Sequence, residues 1–161
     1  MASPPLHPEL APLAGLVGDW AGQGRGDYPT IDAFAYGERA SFWHVGKPFL
    51  FYMQRTWSLQ NEEPLHSEMG YFRPAGANGV ELVASHPFGV VEISEGTVAD
   101  GTIELRSTTL TPTSTSDRID AVVRKLTFSG DRLTYGFEMS TSGQPLQFHL
   151  QATLQRVESP G

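Results

Sequence analysis

The chain has 161 residues, no cysteine and a net charge of −7, with a pI near 5.1. This length suits one domain with a hydrophobic core, and we expect a single domain over 1–161 with its core at about 10–157. The absence of cysteine excludes disulfides and thiolate metal sites, and the negative charge disfavours nucleic acid as a partner. Because no apolar run reaches about 18 residues and no secretory signal is visible, we expect a soluble, cytoplasmic protein that does not enter a membrane.

One segment near the N-terminus has the spacing of a helix. Its apolar residues recur every three or four positions: Leu10, Leu13, Leu16 and Val17. This spacing predicts a short helix over 8–17, ending before Gly18, that could serve as a lid or plug.

The stretch 18–30 reads as the first strand of a small barrel. Glycines alternate with other residues around Trp20, and Tyr28-Pro29-Thr30 closes the stretch. Glycine allows close approach of a neighbouring strand, and a tryptophan is large enough to plug one end of the interior. We expect this strand to pair with the segment around 148–150, near the other terminus.

The rest of the chain alternates between strand-forming runs and turn residues. The Asp100-Gly101 dipeptide is a particularly strong signal for a two-residue hairpin turn. Nine further strands are predicted at 33–45, 49–59, 66–73, 80–85, 89–98, 102–109, 119–128, 133–139 and 146–157. Short connections make neighbouring strands antiparallel, so we expect an all-β, ten-stranded up-and-down barrel, with a two-sheet sandwich as the alternative. A barrel of more than eight strands encloses a cavity.

No local motif of a hydrolase, a nucleotide-binding enzyme or a zinc enzyme is present. The carboxylates form no evident pair, and we expect them on the solvated surface. Five histidines are isolated from one another in the sequence: His7, His44, His66, His86 and His149. A lone histidine in an apolar cavity can serve as the axial ligand of a haem iron, although most lone histidines are structural or exposed.

The chain resembles the nitrobindin family over residues 10–156. The resemblance rests on several motifs in one order: Gly18-x-Trp20-x-Gly22-x-Gly24-x-Gly26-x-Tyr28-Pro29-Thr30, His44-Val45-Gly46-Lys47-Pro48, Pro64-Leu65-His66-Ser67-Glu68-x-Gly70-Tyr71, Gly89-Val90-Val91-Glu92 and Gln144-Pro145-Leu146-Gln147-x-His149-Leu150-x-Ala152-x-Leu154. It is strongest with the actinobacterial members. It implies a barrel related in shape to fatty-acid-binding proteins.

The resemblance also implies the cofactor and its ligands. The family holds one ferric b-type haem per chain, and the position of its proximal iron ligand and catalytic residue corresponds to His149. Thr30, Lys125 and His66 correspond to further haem-binding positions. Trp20 and the motif glycines Gly18, Gly22 and Gly24 are read as architectural.

The pattern of the last strand conflicts with this role for His149. Phe148, Leu150 and the apolar residues that follow alternate with His149, so strict alternation puts His149 on the face opposite Leu150. Three explanations are open: a bulge between 145 and 150, a histidine that precedes regular pairing, or an apolar set that packs outward.

The activity implied by the resemblance is isomerisation of peroxynitrite to nitrate at a ferric haem, with nitric oxide as a further ligand. A homodimer is compatible with the resemblance. The alternative is a barrel that binds a lipid or another small ligand without catalysis. That alternative needs paired arginine and tyrosine groups inside the barrel for a carboxylate. The sequence places none of the candidate arginines clearly inward: Arg39, Arg55, Arg106 and Arg124.

Overall fold

A computed structural model describes residues 3–158; residues 1–2 and 159–161 of the predicted domain lie outside the described residues. The ten strands are β1 (Gly18–Tyr28), β2 (Ile31–Trp43), β3 (Leu50–Ser58), β4 (Pro64–Ala75), β5 (Gly79–His86), β6 (Val90–Ala99), β7 (Thr102–Pro112), β8 (Ile119–Ser129), β9 (Arg132–Thr141) and β10 (Gln144–Val157). Each strand pairs antiparallel with the next, and β1 also pairs with β10, which closes the barrel. The predicted up-and-down barrel is therefore confirmed, and the sandwich is excluded.

Strand β1, which closes the barrel by pairing with β10, carries glycine at three successive inward positions, Gly22, Gly24 and Gly26. Gly26 faces Leu150 of β10, as predicted from the sequence. A Cβ added at Gly24 would lie 2.4 Å from the Tyr36 ring, and one at Gly22 would lie 2.1 Å from a β10 carbonyl oxygen. The glycines thus allow neighbouring rings and backbone to lie directly over β1.

The predicted N-terminal helix is a 3₁₀ helix, Pro8–Leu16. Its leucines, Leu10, Leu13 and Leu16, are spaced by three residues, and all are at most 1 % exposed. In a 3₁₀ helix, residues three apart align on one face, so this spacing buries all three at once. The Leu16 carbonyl accepts a 2.8 Å hydrogen bond from Trp20 Nε1, which joins the helix to β1. No helix in the described part of the chain is long and apolar enough to cross a membrane.

The two ends of the barrel differ in their contents. At the end where β1 begins, the interior is filled by buried apolar side chains that pack with the helix, including Trp20, Phe42, Phe72 and Leu133. At the opposite end, where β1 ends and β10 begins, the interior holds a cavity. The closed end supplies packing, and the open end supplies space for a ligand.

Candidate functional site

The cavity has a volume of about 420 Å³ and is lined by residues from most strands. Its walls carry apolar side chains, among them Ile31, Leu65, Phe137 and Met139, together with several polar groups. This volume falls within the range of about 300–1,000 Å³ that is typical of small-molecule sites. The cavity is the candidate site.

His149 reaches the cavity through a β-bulge. Phe148 faces Glu138 of β9, whereas Leu150 faces Phe137, so β10 contains one extra residue at this point. Because a bulge breaks the alternation, both His149 and Leu150 line the cavity. Phe148 lies beneath the Arg25 guanidinium, 4.8 Å from its Cζ. The expectation from strict alternation is wrong here, and the bulge is the explanation.

The imidazole of His149 is held by one hydrogen bond and two rings. Nδ1 lies 3.2 Å from the Asp27 carbonyl oxygen, which can only accept, so Nδ1 carries the proton. The ring lies 5.3 Å from that of Tyr28 and 6.0 Å from that of Phe137. Burial lowers the pKa of His149, with the Asp27 bond acting in the opposite direction. A neutral imidazole protonated at Nδ1 has an Nε2 lone pair that can bind a metal.

A buried ionic cluster lies in the same interior. Arg124 donates from Nη1 and Nη2 to Glu68, at 2.7 and 3.2 Å, and from Nε and Nη2 to Glu92, at 3.0 and 2.6 Å. Burial alone would raise the pKa of both carboxyls, but the guanidinium holds that of Glu68 well below its usual range and that of Glu92 at about 2. Both glutamates are therefore ionised at neutral pH.

Two histidines extend this cluster. His86 Nε2 lies 2.9 Å from Glu92 Oε2, and His86 Nδ1 lies 3.3 Å from Glu68 Oε2. His66 Nε2 lies 3.4 Å from the same Glu68 oxygen. The ring of Phe88 packs against both imidazoles, with its centroid 5.6 Å from that of His66 and 5.3 Å from that of His86.

A second polar group surrounds Glu38. Tyr135 donates a 2.6 Å hydrogen bond to Glu38 Oε2, and the Tyr36 hydroxyl lies 2.7 Å from that of Tyr135. Burial raises the pKa of Glu38 to about 7, partly offset by the Tyr135 bond. In contrast to Glu68 and Glu92, whose pKa values are lowered, Glu38 has a pKa raised into the neutral range.

Comparison with known proteins identifies the family. Residues 9–156 match the family described as "THAP4-like, heme-binding beta-barrel domain". The chain belongs to the THAP4-like haem-binding barrel family. The resemblance to nitrobindins inferred from the sequence motifs is thereby confirmed.

Two similar relatives are named after one enzyme activity. The chain is 44 % identical to a protein of Nocardia farcinica named "Peroxynitrite isomerase", over 94 % of this chain and 92 % of the relative. It is 46 % identical to "Peroxynitrite isomerase 2" of Mycobacterium avium, over 94 % and 96 % of the two chains. The crystal structure of Rv2717c from M. tuberculosis has a TM-score of 0.89 at 43 % identity and covers 96 % of this chain and 100 % of that one.

The predicted site residues of this THAP4-like barrel, Lys125 apart, fall in three places. His149 and His66 line the cavity. Thr30 is exposed in the β1–β2 turn, next to Ile31, which lines the cavity. The motif residues Gly18, Trp20, Gly22 and Gly24 lie on β1, where Trp20 belongs to the packed core.

Lys125 requires a correction. It lies on the outer surface, 3.0 Å from Glu104 in an ion pair whose side chains are both 61 % exposed. Side chains alternate along β8, so the inward position belongs to its neighbour Arg124. Lys125 therefore does not reach the interior of the barrel.

The sequence reasoning missed the interior charges of the THAP4-like barrel. Glu38, Glu68 and Glu92 were expected on the surface, but they are 2 %, 6 % and 0 % exposed. Each occupies an inward position of its strand, as Glu92 does between Val90 and Ser94. The alternation of inward and outward positions along each strand, which can be followed in the sequence, could have revealed them.

Arg124 is an inward arginine of the kind that the lipid-binding alternative requires. Each of its three side-chain nitrogens, however, already donates to a glutamate.

The interior of the barrel fits a haem in its donor chemistry. A haem needs an apolar slot and one neutral imidazole with a free nitrogen. His149 supplies the imidazole. Its Nδ1 donates a hydrogen bond to the Asp27 carbonyl oxygen, and its Nε2 has no hydrogen-bond partner among residues 3–158. Phe137, Met139 and Leu150 provide apolar lining on the neighbouring positions of β9 and β10.

Proposed function

We propose that the chain binds one ferric b-type haem through His149 and isomerises peroxynitrite to nitrate. The observation that carries the proposal is the bulge in β10, which places a neutral imidazole with a free Nε2 in the cavity. The names of the relatives support the choice of substrate. When bound through His149, the haem would supply an iron that acts as a Lewis acid toward peroxynitrite and that could also bind nitric oxide.

The protein's own groups would prepare the site in three ways. The Asp27 carbonyl fixes the tautomer of His149 and raises the basicity of its other nitrogen. Tyr28 and Phe137 restrict rotation of the imidazole by packing against it. The apolar side chains of Phe137, Met139 and Leu150 would pack against the haem beside His149. Thr30, at the rim, is proposed as a further contact to the haem, and His66 as a polar group facing it across the cavity.

The first test is haem binding by the full chain. Titration of wild type with hemin is expected to give a Soret band that saturates at one haem per chain. His149→Ala should bind at least about tenfold more weakly, since even the outer partners of metal-ligating histidines are worth roughly 10–100-fold. His44→Ala is the matched control, because His44 is half-buried outside the cavity lining. An unchanged spectrum and affinity in His149→Ala would contradict the assignment of the ligand.

The second test is activity, measured as the decay of peroxynitrite in a stopped-flow instrument. The haem-loaded protein is expected to accelerate decay and to form nitrate, whereas the haem-free protein should leave the rate at that of buffer. Equal rates for the two forms would refute the proposed reaction while leaving haem binding intact. Spectral shifts on addition of nitric oxide to the loaded protein test the further ligand.

A further inference from the structure

Three donor atoms in the interior form a nearly equilateral triangle. His66 Nε2 lies 3.4 Å from Glu68 Oε2 and 3.4 Å from His86 Nδ1, and His86 Nδ1 lies 3.3 Å from Glu68 Oε2. His66 and Glu68 share the inward face of β4, and His86 ends the neighbouring strand β5. Within residues 3–158, these three residues form a group whose donor atoms lie close enough together to hold one metal ion.

These separations are long for hydrogen bonds and suit ligands of one metal. An N–H···O bond is usually about 2.7–3.2 Å long, so none of the three contacts is a good one. Ligands that bind zinc at about 2.0–2.1 Å in tetrahedral geometry lie about 3.3–3.4 Å from one another. The triangle therefore has the dimensions of one face of a tetrahedral site.

The surroundings orient the donors as the outer partners of a metal site do. His86 Nε2 lies 2.9 Å from Glu92 Oε2, a carboxylate–histidine arrangement that directs Nδ1 away from Glu92 and toward the triangle. Glu68 Oε1 accepts bonds from Tyr52 and Arg124, at 2.8 and 2.7 Å. These bonds fix the carboxylate plane. Oε2, which also accepts from Arg124 Nη2 at 3.2 Å, is the oxygen that lies next to the two imidazole nitrogens.

The charge of the cluster also favours a cation. Glu68 and Glu92 are both paired with the same guanidinium, Arg124, so two carboxylates share one positive charge. A divalent ion beside Glu68 would bring the cluster to a net charge of +1, and a metal-bound hydroxide would neutralise it. Two imidazole nitrogens and one carboxylate are a ligand set that zinc and its neighbours in the first transition row accept.

We propose that His66, Glu68 and His86 form a site for a divalent transition-metal ion of the zinc class, separate from His149. The three protein ligands leave a fourth position for water or a small anion, as in catalytic rather than structural zinc sites. The site uses strands β4 and β5, whereas His149 lies on β10, so no residue would ligate both metals. His66 would be a ligand of this ion and a polar neighbour of the haem. The proposal does not depend on haem binding.

The test uses the full chain, free of haem and treated with chelator, and Co²⁺ as an optical probe. Wild type is expected to bind one Co²⁺ with the intense visible absorption of tetrahedral cobalt, and Zn²⁺ should displace it. His66→Gln should weaken Co²⁺ binding by more than the roughly 10–100-fold that loss of an outer partner costs. Because His66 is half-exposed, this variant should fold, and the thermal unfolding temperature of the metal-free form should match wild type.

Two further variants and a thermal assay decide the outcome. His44→Gln and His149→Ala should bind Co²⁺ as wild type does, because neither residue belongs to the triangle. Zn²⁺ should raise the unfolding temperature of wild type and His44→Gln but not that of His66→Gln. The proposal is overturned by a wild type without saturable Co²⁺ or Zn²⁺ binding, by His66→Gln binding as tightly as wild type, or by loss of Co²⁺ binding in His149→Ala.

Discussion

Removal of the Arg124 guanidinium is expected to be one of the most destabilising single changes in the open half of the barrel. In Arg124→Met, Glu68 and Glu92 lose four hydrogen bonds and their shared positive charge while remaining buried. Breaking a buried ion pair in this way costs about 3–5 kcal/mol, because it leaves uncompensated charge in the interior. The lowered pKa of Glu92 gives a similar magnitude. A shift of its pKa from the usual value to about 2 corresponds to about 3 kcal/mol of stabilisation of the ionised carboxylate.

The matched control is the neighbouring residue on the other face of the same strand. Lys125 pairs with Glu104 on the exposed outer surface, and such pairs contribute about 0–1 kcal/mol. Lys125→Met should therefore change the free energy of unfolding by less than about 1 kcal/mol. Urea unfolding of wild type and both variants at pH 7 measures the contrast between two adjacent cations.

The pH dependence distinguishes loss of charge pairing from loss of packing. In wild type the two carboxyls have lowered pKa values, so their stabilisation is present above about pH 4 and is lost as the pH falls toward 2. In Arg124→Met both pKa values should rise above the usual range, so the variant should recover stability as the pH falls from 7 to 5. The difference from wild type should shrink over this interval. A cost below about 1 kcal/mol at pH 7, or one that is equal at pH 7 and 5, would refute the reasoning.

Two other variants probe β1 and the second polar group by the same unfolding assay. Gly24→Ala should destabilise by about 1–3 kcal/mol, because its Cβ would meet the Tyr36 ring at 2.4 Å, whereas Gly136→Ala meets nothing within 4 Å and should change stability by less than about 1 kcal/mol. Equal effects would argue against close approach as the role of the glycine. Glu38 has a raised pKa, so its stabilisation is present below about pH 4 and is lost as the pH rises through about 7. Glu38→Gln should therefore gain stability relative to wild type between pH 5 and pH 8, because over this interval the unfolded carboxyl is ionised while the native one holds its proton. No change in that interval would show that burial does not raise the pKa of Glu38.

The fold was predictable because its signals are local. Turn chemistry marks the hairpins, as at Asp100-Gly101, where φ values of 49° and 72° match the two-residue turn expected there. Ten strands with short connections then leave few arrangements other than a closed barrel. The type of the N-terminal helix was less visible, because Leu10, Leu13 and Leu16 have a spacing that suits α and 3₁₀ helices alike.

The contents of the cavity were less predictable because they depend on pairing between strands. His149 reaches the interior only through a bulge, and a bulge is defined by the partner strand rather than by the sequence of β10 itself. Glu68, Glu92 and Arg124 come from three separate strands, so no local motif joins them. The roles of His149, Thr30 and His66 toward a haem stay predictions that the binding experiments address.

The division of the barrel into two halves explains why the glycine-rich motif of β1 and the candidate functional groups of the cavity lie apart. Buried ion pairs contribute little net stability, so the charged open half cannot be what holds the fold together. Burial of apolar surface does so, and it is concentrated at the closed end, around Trp20 and the 3₁₀ helix. The first glycines of β1 lie at the closed end. Further along the strand, Gly24 and Gly26 leave room for the rings of Tyr36 and Phe34, which line the cavity. The glycine pattern of β1 is therefore a condition for the site rather than a part of it.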